Sequence, residues 1–83
     1  MLYIIYGKEN CTQCKQAKQI LEMKQLEYKY KSVPEDINQI DFYSLLEAFG
    51  VVPRSFPQIV KIDEDLTAHY IGGLEALVKD LKK

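Results

Sequence analysis

The chain has 83 residues, 47% of them apolar, and a formal net charge of −1. That length suits one domain spanning 1–83 with one modest core, and that apolar content excludes a disordered chain. The near-neutral balance removes any bulk electrostatic case for nucleic acid or an anionic membrane surface.

Leu2 to Tyr6 is nearly all apolar and rich in Ile and Tyr, as in a strand buried on both faces. Met1 to Tyr6 has no basic stretch before it, the run stops at Gly7, and no segment approaches membrane-span length. The expectation is therefore a chain without a leader or span, working in a reducing cytoplasm. Gly7 to Asn10 is a turn. Asn10 with Gln13 three residues later resembles a capping box, which opens a helix from Cys11 or Thr12 to about Gln25. Cys14, Ala17, Ile20 and Leu21 share one face of it, so Cys14 points to the core and Cys11 stays more exposed.

Tyr28-Lys29-Tyr30-Lys31 alternates as a half-buried strand does, and its tyrosines are read as packing residues. Val33 to Asp36 breaks that strand and opens a second helix. Phe42, Leu45, Leu46 and Phe49 form its apolar stripe, and Gly50 stops it. Val51 to Pro57 is loop, and Gln58 to Ile62 is a third strand. Asp63-Glu64-Asp65 reads as a solvated hairpin tip rather than a metal loop. Leu66 to Ile71 is a fourth strand, carrying His69 as a surface or packing residue. Gly72-Gly73 opens a last helix with Leu74, Leu77, Val78 and Leu81 on one face. The order β-α-β-α-β-β-α gives a right-handed parallel pair plus a hairpin. The result is an α/β fold, a four-stranded mixed sheet in the order 2-1-3-4 with helices on both faces. The turn holding both cysteines then lies at the C-terminal end of the central first strand.

Cys11-Thr12-Gln13-Cys14 contains every cysteine of the chain. A Cys-x-x-Cys at a strand-to-helix junction reads as a thiol–disulfide redox centre. The start of a helix stabilises a thiolate, so Cys11 is the nucleophile. Cys14, one turn on, closes the intramolecular disulfide that releases a mixed-disulfide partner. Structural zinc calls for four N or S ligands, whereas the chain has two Cys and one His, so no metal is expected. A structural disulfide over so short a loop adds little stability.

With these motifs in order, the whole chain resembles a dithiol glutaredoxin of thioredoxin-like fold. Cys11-Thr12-Gln13-Cys14 matches its active site, and Lys15-Gln16-Ala17-Lys18 continues as in many members. Lys8 matches a lysine three residues before the first cysteine. Ser55-Phe56-Pro57-Gln58-Ile59 is similar to a segment whose proline is cis, and Ile71-Gly72-Gly73 matches the Gly-Gly before the last helix.

The resemblance implies a glutathione-dependent thiol–disulfide oxidoreductase, an electron carrier acting as a monomer on protein disulfides and glutathione mixed disulfides. Cys11 and Cys14 would be catalytic. Lys8, Thr12, Gln13, Phe56, Pro57, Gly72, Gly73, Leu74 and Glu75 would bind glutathione, with Phe56 pairing its backbone in β fashion. Ribonucleotide reductase is a protein substrate by resemblance only. The chain departs from the pattern at Thr12-Gln13, where Pro-Tyr is common. It departs again at Ala76, where many members place an Asp facing the glutathione amino group. Glu75 beside it would either take that contact or complement the helix dipole. Two alternatives follow. One is a ribonucleotide-reductase-type redoxin reduced by thioredoxin reductase, a group that often has Gln before the second cysteine. The other is an iron–sulfur cluster carrier, against which Cys14 argues.

Overall fold

The computed structural model describes residues 1–82; Lys83, the end of the expected domain, lies outside the described residues. The elements are β1 (Leu2–Gly7), α1 (Thr12–Met23), β2 (Tyr28–Ser32), α2 (Gln39–Glu47), β3 (Gln58–Ile62), β4 (Ala68–Gly72) and α3 (Leu74–Leu81). The sheet order is β2-β1-β3-β4. β1 runs parallel to β2 and antiparallel to β3, and β3 runs antiparallel to β4. The architecture is the four-stranded mixed sheet expected from the element order, in the thioredoxin-like form that the resemblance implies.

β1 is apolar throughout because it is covered twice. Tyr3 and Ile5 face a core shared with Ala17 and Leu21 of α1, Ile59 of β3 and Leu77 of α3. Tyr6, on the other face, packs with Phe42 and Leu46 of α2, Val60 of β3 and Val33. Tyr28 and Tyr30 pack against the first of these clusters, as their spacing predicts.

Several boundaries move, each for a local reason. α1 is capped by Cys11 rather than Asn10, because Asn10 adopts a left-handed φ of 55°. α1 ends at Met23, two residues early, because Gln25 has φ 56°. There Leu26 N–H reaches the Leu21 carbonyl and Gln25 N–H the Glu22 carbonyl, which closes the helix end. The second helix begins only at Gln39. Residues 33–36 form a turn after a cis Val33–Pro34 bond, with the Asp36 carboxylate accepting from Ser32 N–H. Asn38 is the true cap and accepts from Asp41 N–H at 2.8 Å. Gly50 (φ 75°) ends this segment as expected, but Phe49 falls beyond the helix. β4 starts at Ala68, not Leu66, because Leu66 (φ 68°) belongs to the hairpin turn.

Candidate active site

β1 delivers the chain to the end of the central strand, and α1 starts there. Cys11 and Cys14 are joined as a disulfide with their Cα atoms 5.3 Å apart. Cys11 is the N-cap residue of α1, and its Sγ accepts a hydrogen bond from Cys14 N–H at 3.1 Å. That bond occupies one of the N–H groups that a helix start leaves without an intrahelical partner. The first turn of α1 contains no acidic residue, so nothing there opposes negative charge on Cys11. Cys14 is fully buried on the same face as Ala17 and Leu21, whereas Cys11 is 8% exposed. The expected order of exposure holds, but the margin is narrow. In the closed disulfide, Cys11 Sγ is turned back toward the helix. An incoming thiolate meets Cys11 first, and Cys14 is shielded by the core.

Two flanks adjoin this pair. On one, the Phe56–Pro57 bond is cis, as expected, and Phe56 is held by aromatic packing. Its ring stacks on Phe42 (centroids 5.5 Å apart, planes at 15°), and Phe42 meets Tyr6 at 5.5 Å. Phe42 is fully buried, so the stack ties Phe56 to the core. Lys8 Nζ lies 5.6 Å from the centre of the Phe56 ring, a cation–π arrangement that puts a positive charge beside this loop. Gln58 is a buried polar side chain that sequence reasoning passed over. Its Nε2 donates to the Ser55 carbonyl at 2.8 Å and its Oε1 accepts from the Tyr70 hydroxyl. The amide pins the 53–57 loop to β4. A glutamine opening an otherwise apolar strand was the available signal, since a buried amide needs partners.

On the other flank, β4 turns into α3. Gly72 has φ 123°, and a Cβ there would sit 3.0 Å from that of Ala76. Gly73 is the N-cap of α3 without a side-chain cap, and a Cβ on it would come 3.6 Å from the Pro57 carbonyl oxygen. The Gly-Gly turn therefore lies against the cis-proline. Gln13, Gly73, Leu74, Glu75, Ala76 and Lys79 line one cavity of about 490 Å³. Four of the expected binding residues thus meet in one place. Thr12 is exposed at the start of α1 but does not line this cavity. Ala76 and Lys79 were not among the expected set. A smaller cleft of about 110 Å³ adjoins Phe56 and is lined in part by Gln39, Tyr43 and Arg54, also unforeseen.

The remaining polar clusters lie elsewhere. His69 Nε2 faces the Asp63 carboxylate across the hairpin, and Asp65 accepts from Thr67 N–H at 3.0 Å. Backbone and side-chain bonds from Thr67 hold the Asp65 carboxyl below its usual range. Among the described residues, no group of three or more His, Cys, Asp or Glu is placed to hold a metal ion. Among the described residues, no helix is long and apolar enough to cross a membrane.

A Cys-x-x-Cys disulfide at the first turn of the helix that follows the central strand, in a chain whose Gly-Gly turn lies against a cis-proline, defines a thiol–disulfide oxidoreductase of thioredoxin-like fold. A family model for glutaredoxin matches residues 3–67, and the chain belongs to the glutaredoxin family. The chain is also similar to the crystal structure of Glutaredoxin 1 from Francisella tularensis complexed with cacodylate. That match has a TM-score of 0.68 and 23% identity, covering 99% of this chain and 98% of the other. At that identity the likeness concerns the fold. No curated protein matches at a significant level.

Proposed function

We propose that the protein is a glutathione-dependent reductase of protein disulfides and glutathione mixed disulfides, acting as a monomeric two-electron carrier in the cytoplasm. The observation that carries the reading is the asymmetric pair. Cys11 Sγ accepts the Cys14 N–H at the helix start while Cys14 is fully buried. Reduced Cys11, as thiolate, attacks one sulfur of a substrate disulfide. The S–S bond breaks, a Cys11 mixed disulfide forms, and the first thiolate leaves and takes up a proton. Cys14, giving up its proton, then attacks the Cys11 sulfur. This closes Cys11–Cys14 and releases the second substrate thiol. One glutathione thiolate reopens that bond at Cys11, leaving Cys14 as thiol. A second attacks the glutathione sulfur, restores the Cys11 thiolate and leaves as glutathione disulfide. The net change is one substrate disulfide reduced and two glutathiones oxidised.

The cavity of Gln13, Gly73, Leu74 and Glu75 supports glutathione as the reductant. The first N–H groups of α3, which lack a side-chain cap, suit a carboxylate, and Glu75 suits the amino group. On the opposite flank, Lys8 beside Phe56 suits a carboxylate at the other end of the peptide. The test is to mix Cys14→Ser with glutathione disulfide and weigh the product. One glutathione attached to Cys11 is expected; no glutathione attached to that variant would contradict the reading. A second reading, a redoxin reduced by thioredoxin reductase with ribonucleotide reductase as substrate, draws on Gln13 and on the absence of a carboxylate at Ala76.

A further inference from the structure

Gln58 follows Pro57 directly, and its buried side chain bonds in two directions. Nε2 donates to the Ser55 carbonyl at 2.8 Å, and Oε1 accepts from the Tyr70 hydroxyl. A carbonyl oxygen only accepts, so the Ser55 contact fixes which end of the amide faces the loop. Tyr70 is then the donor at the other end. The strand register brings the two side chains together. Val60 lies opposite Tyr70, and Gln58, two residues before Val60, is on the same face of β3. The Tyr70 ring is held in turn beside that of Phe49, their centroids 6.2 Å apart. The run Tyr70–Gln58–Ser55 therefore starts on the strand that leads into Gly72 and ends on the residue before Phe56. Its surroundings reach the cysteines. The Pro57 oxygen lies against Gly73, and Gly73 shares a cavity with Gln13, from between the two cysteines.

We infer that Tyr70 is a positioning residue, whose hydroxyl acts through the Gln58 amide to set the Ser55–Phe56 main chain that receives the peptide backbone around a substrate cysteine. This rests on the proposed pairing of Phe56 with substrate backbone and deepens it. Without the hydroxyl, the buried Gln58 Oε1 loses its partner, which a buried acceptor does not tolerate without rearrangement. The amide turns, and the Ser55 carbonyl loses its donor. The Phe56 ring stays stacked on Phe42, so the loop remains in place while its main chain is released. Burial raises the Tyr70 hydroxyl above its ordinary value, so it is still a donor where the thiols ionise.

The experiment uses the reduced full chain, without glutathione, and two disulfides in excess. One is the disulfide of N-acetylcysteine methylamide, which has an amide on each side of its sulfur-bearing residue. The other, bis(2-hydroxyethyl) disulfide, has no amide. With either, closure of Cys11–Cys14 releases two small thiols, and the rate is read by mass on acid-quenched samples. Tyr70→Phe keeps the ring and its place beside Phe49. It is expected to slow reaction with the amide disulfide about three- to tenfold, and the rate with the amide-free disulfide should not follow. Gln58→Leu should do the same, and the double variant should lose no more than either alone, because both act through one run of bonds. Equal slowing of both disulfides would make Tyr70 a structural residue only and overturn the inference, as would an unchanged rate with the amide disulfide. Reaction of wild type with neither disulfide would remove the thiol–disulfide reading, and the inference with it. Because no glutathione is present, failure of glutathione as the reductant would leave these outcomes standing.

Discussion

The two flanks of the Cys11–Cys14 pair are built on different principles. The Phe56 flank is an extension of the core. Its ring rests on fully buried Phe42, its loop is pinned by the buried Gln58 amide, and Lys8 covers its outer side. The α3 flank is a helix start with an open cavity, a bare N-cap and charges that meet no protein partner among the described residues. The first flank is set before any ligand arrives and suits the invariant part of a substrate, the backbone around its cysteine. The second leaves charges waiting and suits the part that differs between substrates. One flank is held by packing, and the other is lined by side chains that packing leaves alone.

The largest effect probes what both flanks serve. Cys11→Ser should abolish all disulfide exchange, while Cys14→Ser should keep removal of glutathione from mixed disulfides and lose reduction of protein disulfides. Retained activity in Cys11→Ser would reverse the assignment of nucleophile and resolving thiol. Next comes Phe42→Ala, which opens a cavity under Phe56 and should cost about 3–5 kcal/mol in denaturant unfolding. A cost below about 1 kcal/mol would show that the Phe56 flank is not anchored by the core.

The two glycines sharpen the comparison at smaller scale. Gly72→Ala places a Cβ 3.0 Å from Ala76 at φ 123°, so it should destabilise by about 1–3 kcal/mol. Gly73→Ala meets only an ordinary contact, 3.6 Å from the Pro57 oxygen. It should unfold within about 1 kcal/mol of wild type, yet raise KM, since its methyl enters the cavity rim. Equal stability losses would erase the distinction between them.

The smallest effect lies away from both flanks. Burial, and then a hydrogen bond of 2.9 Å to Asp80, push Tyr3 up to about 12. Its folded value lies above the unfolded one near 10, so its contribution is complete below pH 10. It is lost as pH rises toward 12. Solvent near the hydroxyl limits this to on the order of 1 kcal/mol. Tyr6, Tyr30 and Tyr70 are also raised, chiefly by burial, and act in the same direction. Stability curves at pH 9 and 11.5 should therefore diverge less in Tyr3→Phe than in wild type.

The architecture was legible because periodicity is a bulk signal. The doubly apolar β1, the Cys14-Ala17-Leu21 face and the Phe42-Leu46 stripe all appear where their spacing put them. Boundaries were not, because single residues decide them. Asn10, Gln25 and Leu66 all take positive φ, and of these only asparagine favours that region by its chemistry. Asn38 is a good cap, but Pro34 and the acids after it imitate a helix start four residues earlier. At the site, Cys11, Cys14, Phe56, Gly72 and Gly73 were legible as local motifs. Lys79, Arg54 and Gln58 were not, because the cavity that Lys79 lines, the cleft that Arg54 lines and the bonds that Gln58 makes exist only once separate segments meet.

The central claim is that glutathione returns the electrons. Purified oxidised protein should be offered glutathione with glutathione reductase in one cuvette and thioredoxin reductase in another, following NADPH consumption with a disulfide substrate. NADPH turnover with glutathione, and none with thioredoxin reductase, is the predicted result. Turnover only with thioredoxin reductase would contradict the account and favour the ribonucleotide-reductase-type redoxin. Turnover with neither, together with a brown colour on anaerobic reconstitution with iron and sulfide, would contradict it in favour of a cluster carrier.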